Sequence, residues 1–232
     1  GVELVGTTET TINGFRSHSV MNSTNYIRIN SVAWTENEKW SVVEVIEIAA
    51  LGGNNYFHIA YRDSFSMEGN LLQIGYTYMA VTPAFNNVVG SQYILFAIQD
   101  GKNMKYTVYN LIDGSVYAQN TLTNFTYSQP VNALGSNYKS PSYMMIGAGH
   151  TGAEEAKAKF GEVLVYNKAL AQEEEYSLVK YLQKKWTTGL TSSLNLPSTS
   201  TLRTSITTAD LLATDGITFT GEVIPDENNP LT

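Results

Sequence analysis

Carboxylates are the residues in this chain whose type and spacing could support acid–base chemistry. Glu44 and Glu47 stand three apart within the apolar run Trp40 to Ile48. Glycoside hydrolysis with retention needs two carboxyls about 5 Å apart. On a strand, side chains alternate between faces, so positions three apart point to opposite sides. The two glutamates therefore make a poor acid and nucleophile pair, although at least one is left to point into a concave surface. Asp226-Glu227 falls in a polar terminal tail. His18, His58 and His150 lack any Gly-x-Ser-x-Gly or cysteine context, so no nucleophilic triad is expected. The glycine pieces Gly52-Gly53 and Gly147-Ala-Gly149 match no phosphate loop and read as turns. The expectation is a protein without enzymatic activity.

Binding chemistry has better candidates. Asp63, Asp100, Asp113, Glu154 and Glu155 fall in predicted loops or turns, where carboxylates and carbonyl oxygens suit a hard cation such as Ca2+. They form no recognisable coordination string. The plainer reading is turn geometry for the Asp-Gly pairs and solvated charge for the glutamates. A saccharide site needs an aromatic face beside short polar side chains that satisfy hydroxyls. Two clusters meet that need: Asn54, Asn55 and Tyr56, and then Asn137, Tyr138 and Tyr143. Against them stands the reading as ordinary loop and strand-end residues, since the chain is rich in Tyr and Asn throughout.

Short strands must position these residues. Asn25 to Ile29 alternates, with Ile27 and Ile29 on one face and Arg28 on the other. Trp40 to Ile48 carries Val42, Ile46 and Ile48 on one side and Val43 and Val45 on the other, the pattern of a central strand. Tyr56 to Arg62 and Leu71 to Val81 read as one strand each, the second ended by Pro83. The first twenty residues hold one or two edge strands around Val2, Leu4 and Ile12. Ser91 to Gln99 and Met104 to Asn110 flank Asp100-Gly-Lys-Asn103, a hairpin signal, and Asp113-Gly114 makes a second turn. Many short strands separated by turns point to an antiparallel sandwich.

Composition agrees. The 232 residues include 15 Tyr, no Cys and only 15% charged residues. That balance suits an all-β protein with polar loops. The net charge of -7 argues against nucleic acid as a partner, since a binder would show a basic face. No apolar run reaches the length of a membrane span, and no membrane insertion is expected. The chain opens on Gly1 with no signal-peptide pattern, which reads as a processed or excised piece.

The closing segment is the most specific. Phe160-Gly-Glu-Val-Leu-Val-Tyr-Asn-Lys-Ala-Leu170 reads as a strand and a turn. It is followed by Glu173, Glu174 and Glu175, an i, i+4, i+8 stripe of Leu178, Leu182 and Trp186, and Lys184 and Lys185. Acid at the start and base at the end suit the helix macrodipole. These residues, with Tyr143-Met-Met-Ile-Gly before them, resemble the end of laminin-G-like domains of the concanavalin A-like superfamily, in their bacterial and phage form. Two positions depart from that pattern: Lys168 replaces an Arg, and Ala171 stands where Ser usually caps the helix.

The resemblance implies an antiparallel two-sheet jelly-roll β-sandwich with one short C-terminal helix, carbohydrate as the ligand and calcium at a sheet rim. Glycanases of the superfamily carry Glu-x-Asp-x-x-Glu in a strand, which is missing here. Residues 1–190 form the expected sandwich and 191–232 an extended polar arm or linker, rich in Ser and Thr at its start. The leading expectation is a non-catalytic recognition module for a glycan or surface protein, displayed on a cell surface, extracellular assembly or virion. The rival is a phage head-decoration, fibre or tail protein whose residues 187–232 anchor it to other subunits. A glycan hydrolase is the third.

Overall fold

A computed structural model describes residues 2–22, 24–30, 39–53, 55–59, 65–74, 77–125, 143–148, 155–166, 168–187 and 212–213. In chain order the strands begin with β1 (Val2–Val5), β2 (Thr8–Ile12), β3 (Phe15–Val20), β4 (Tyr26–Asn30) and β5 (Lys39–Ile48). Then come β6 (Asn55–Ile59), β7 (Phe65–Glu68), β8 (Leu71–Ile74), β9 (Thr77–Ala80) and β10 (Gln92–Asp100). The last are β11 (Asn103–Asn110), β12 (Val116–Leu122), β13 (Tyr143–Ile146), β14 (Ala158–Tyr166) and β15 (Leu212–Ala213), with helix α1 (Gln172–Thr187) between β14 and β15. One sheet runs β1-β4-β13-β6-β7-β8-β9. The other runs β12-β11-β10-β5-β14-β3-β2, with β15 added beside β14. Every pairing is antiparallel. The described residues form the expected two-sheet sandwich, with one short helix following its last long strand. No helix among the described residues is long and apolar enough to cross a membrane.

The second sheet is buried on both faces. On β5, Trp40, Val42, Ile46 and Ile48 face the other sheet, while Val43 and Val45 face α1. This follows the alternation in the sequence and explains why β5 lacks a polar face. The outer core packs Val43, Val45, Ile94, Phe96 and Leu164 against Leu178, Val179, Leu182 and Trp186 of the helix.

Strand β14 serves both cores because its register slips by one residue between Phe160 and Glu162. Ala158 and Phe160 face inward, yet beyond the bulge Val163 and Val165 do so, and Leu164 and Tyr166 turn to the helix. Gly161 is the inserted residue, and a Cβ on it would come within 2.5 Å of the Trp186 ring. The indole is held in place from three sides. Its Nε1 donates to Glu162 at 2.9 Å, Phe15 meets it edge-on at 5.6 Å between centroids, and Lys185 bonds the same Glu162.

At the other helix end, Ala171 offers no side-chain cap. Glu174 instead reaches back to accept from the Ala171 N–H at 2.9 Å, half of a capping box. Lys168 pairs with the same carboxylate at 2.8 Å, and Ser41 bridges the turn by donating to the Lys168 carbonyl and accepting from the Leu170 N–H. Glu175, the third of the glutamates that open the helix, leaves solvent altogether. It is buried on the sheet side, where Lys105 and the Tyr109 hydroxyl bind its two oxygens.

Other readings are corrected locally. Leu71 to Val81 is not one strand: β8 and β9 pair as a hairpin with Ile74 opposite Thr77, so Leu72 and Met79 are both buried while Tyr78 is exposed. The first twenty residues hold three strands, because Asn13 and Gly14 both adopt positive φ (52° and 86°) and close a two-residue hairpin between β2 and β3. Asn-Gly suits that turn because both central residues must take a left-handed conformation. Of the expected arm, Leu212 and Ala213 pair with Val165 and Leu164.

Gly161→Ala is expected to destabilise the protein by about 1–3 kcal/mol in urea unfolding, the usual cost of an overpacked core, because the indole cannot move without breaking its bond to Glu162. An unchanged midpoint would show that Trp186 is not confined as described.

Candidate functional site

An open cleft of about 480 Å³ lies at one end of the double-covered sheet. Asn13, Ser91, Gln92, Asn110, Ile112 and Asp113 line it, with Gly90 at its edge. Three turns bring them together. The β2–β3 hairpin supplies Asn13, the start of β10 supplies Ser91 and Gln92, and the β11–β12 turn supplies the rest. That third turn is closed by the Asn110 N–H to Ser115 carbonyl and Gly114 N–H to Asn110 carbonyl bonds, both 2.9 Å.

The end of α1 holds two of the walls. Gln183 donates to the Ile112 carbonyl at 2.7 Å, and Asn13 Nδ2 donates to the Trp186 carbonyl at 3.0 Å. Asn13 and Gln92 face each other as a reciprocal amide pair at 2.8 and 2.9 Å. Behind them Gln92 Nε2 reaches Glu47 at 2.8 Å, and Glu47 pairs with Lys159 at 2.6 Å. The cleft thus has a rigid polar floor and an exposed aliphatic rim, Ile112. Asp113 accepts from the Ser115 hydroxyl and backbone N–H, which lowers its pKa below the ordinary carboxylate range and keeps it ionised. Such a surface can hydrogen-bond a polar ligand.

Of the sequence candidates whose side chains are described, Asp113 lines the cleft, and Tyr56, Asp100 and Glu155 lie elsewhere. Tyr56 is wholly buried: a bulge between Asn55 and Phe57 turns both Tyr56 and Phe57 into the core. Its ring packs on Phe85 at 5.4 Å between centroids and is not presented to a ligand from outside. Asp100 sits at the β10–β11 turn paired with Lys39 at 2.9 Å, at the opposite end of β11 from Asp113. Glu155 lies 3.5 Å from Lys157. Asn54, Asp63, Asn137, Tyr138 and Glu154 lie outside the described residues, as do the side chains of Asn55 and Tyr143. Among the described residues no three His, Asp or Glu side chains gather closely enough to hold a metal ion.

Sequence reading missed Asn13, Gln92 and Asn110. Asn13 carried a signal, the Asn-Gly hairpin pair. Gln92 and Asn110 carried none, being single polar residues at strand ends.

The two glutamates of β5 face opposite ways, as their spacing requires. Glu47 joins the network behind the cleft. Glu44 points between the sheets, is fully buried and has no hydrogen-bond partner for either oxygen. Burial alone pushes its pKa well above the usual range, so it sits in the core as a neutral acid. Tyr56 and Tyr106 lie beside it, their hydroxyls held protonated mainly by burial.

No family model matches the chain, and no curated protein matches it in sequence. Solved structures do match in fold. Tailspike protein 2 of an Escherichia coli O157:H7 bacteriophage superposes with a TM-score of 0.55 at 13% identity over 78% of this chain and 27% of its own. Trypanosoma rangeli sialidase gives 0.53 at 11% over 77% of this chain and 29% of its own. Domain 4 of an extracellular arabinanase from Geobacillus stearothermophilus, solved with arabinotriose, gives 0.50 at 15%, covering 78% of this chain and 87% of that domain. The chain therefore spans under a third of the tailspike and sialidase, and most of the arabinanase domain. These likenesses define its class as a β-sandwich.

Glu44 makes stability depend on pH in a direction opposite to that of most carboxylates. With its folded pKa raised above the unfolded value, the folded state binds more protons, so stability falls as pH rises from about 4.3 and levels off above the folded pKa. The slope is at most about 1.4 kcal/mol per pH unit for one group. Urea unfolding between pH 5 and 8 should show that slope in the native chain relative to Glu44→Gln, and Glu44→Met should be the more stable by about 1–3 kcal/mol at neutral pH. Parallel pH profiles for native chain and Glu44→Gln would mean the carboxyl is solvated or paired.

Proposed function

We propose that this chain is a non-catalytic laminin-G-like module of the concanavalin A-like superfamily that recognises carbohydrate outside a cell or on a virion. The observation that carries the reading is the cleft of Asn13, Gln92, Asn110 and Asp113. It is built from short polar side chains held by a hydrogen-bonded floor, which supply partners for saccharide hydroxyls, beside an aliphatic rim, Ile112, that stands where a stacking ring was expected. The fold shared with an arabinanase domain in complex with arabinotriose, and with a phage tailspike, supports it. Absence of turnover is inferred from the carboxylates. Glu44 is sealed in the core and unreachable by substrate, and Glu47 and Glu162 are each tied to a lysine on the helix-bearing face.

The second reading is a structural virion protein assembled through residues 187–232. Its favouring observation is that Leu212 and Ala213 add a strand to β14, so this segment can extend a sheet. The same pairing made between copies would link subunits.

A glycan array probed with the full chain should give specific binding, reduced at least tenfold by Gln92→Ala and Asn110→Ala, a loss of about 1.4 kcal/mol or more. Repeating it with EDTA reads the calcium expected from the family resemblance, and incubation of the bound glycans reads hydrolysis. Silence on the array, with multimers that vanish when 187–232 is deleted, would favour the structural reading.

A further inference from the structure

Both amides on the cleft floor have their hydrogens committed. Asn13 Nδ2 donates to Gln92 Oε1 at 2.8 Å and to the Trp186 carbonyl at 3.0 Å. Gln92 Nε2 donates to Asn13 Oδ1 at 2.9 Å and Glu47 Oε2 at 2.8 Å. A primary amide carries two N–H donors and two oxygen lone pairs. Each of these side chains therefore has one lone pair left for a ligand and no donor. Asp113 Oδ1 takes two bonds from Ser115, at 2.8 and 2.6 Å, which leaves Oδ2 as a further acceptor. Asn110 gives one hydrogen to the Ser115 hydroxyl at 2.8 Å, which leaves its second N–H and its own carbonyl open. The backbone N–H groups of Gly90, Ser91 and Asn110 are bonded to Ile48, Val88 and Ser115 carbonyls.

Charge points the same way. Among the described residues no Lys or Arg lines the cleft. Lys159 is held on Glu47 at 2.6 Å, and Lys180 interacts with Asp113 from the helix, where it lies over the Tyr176 ring at 5.3 Å. The carboxylate of Asp113 is thus the one formal charge among the described lining residues.

We infer that the cleft selects an uncharged, hydroxyl-rich saccharide and rejects carboxylated or sulfated ones. This rests on the glycan reading above and sharpens it. A sugar hydroxyl can rotate to donate to the acceptors of Asn13, Gln92 and Asp113. A carboxylate or sulfate presents acceptors alone: it can take the remaining N–H of Asn110 but otherwise meets lone pairs and the like charge of Asp113, with no guanidinium or ammonium among the described lining residues.

The test uses the full chain at 0.15 M salt and a panel of neutral oligosaccharides, each matched to a counterpart bearing one carboxylate or sulfate on the same backbone. Neutral members should bind at least about tenfold more tightly than their acidic partners, as expected for one lost hydrogen bond plus like-charge repulsion. Asp113→Asn keeps the acceptor that closes the turn but removes the charge, so it should narrow that gap by strengthening acidic ligands. Equal or tighter binding of the acidic members would overturn the inference while leaving the glycan reading intact. Binding indifferent to both Asp113→Asn and Asn110→Ala would place the ligand elsewhere and overturn it too. Silence toward every member would overturn the glycan reading and this one with it.

Discussion

The indole of Trp186 lying on Gly161 is the contact on which the rest of the molecule depends. It requires a residue without a side chain at one point of a core strand. The bulge there reverses the facing of β14, sending Phe160 inward and Leu164 and Tyr166 outward. Without that reversal β14 could not close the inner core at one end and seat the helix at the other. Glu162, the first residue past the bulge, receives both the indole N–H and Lys185. A local backbone irregularity thereby becomes the seam between two cores.

The same helix end governs the cleft. Asn13 binds the Trp186 carbonyl and Gln183 binds the Ile112 carbonyl, so two turns distant in sequence are fixed to one helical end. Their geometry is inherited from packing rather than from loop contacts alone. This is how a site made of short amides can be preorganised: the floor residues lose little freedom on binding because they are already bonded to one another.

Much of the architecture could be read from residue order because its causes are local. Alternation in Trp40 to Ile48 assigned the two faces of β5 correctly, including the opposite placement of Glu44 and Glu47. The stripe of Leu178, Leu182 and Trp186 set the buried face of α1. What residue order did not reveal has causes that are not local. Glu175 lies on that stripe, three and four residues before Leu178 and Val179, yet its burial depends on Lys105 and Tyr109 seventy and sixty-six positions away. Tyr56 enters the core through a bulge that alternation cannot foresee. The cleft was illegible because it joins three turns, at Asn13, at Ser91 and Gln92, and at Asn110 to Asp113, that no local pattern links.

The sheet order also constrains how the chain can be made. Strands β2 and β3 reach their sheet only through β14, which sits between β3 and β5 although more than a hundred residues separate them. On a ribosome the N-terminal hairpin would have no neighbour until residue 166 emerged, and the helix that covers that neighbour would follow later still. Such non-local pairing is slow and leaves an unfinished edge in the meantime. The Thr-rich, largely exposed β2 hides little apolar surface while it waits. Closure of this sheet is thereby deferred until β14 and α1 have both been made.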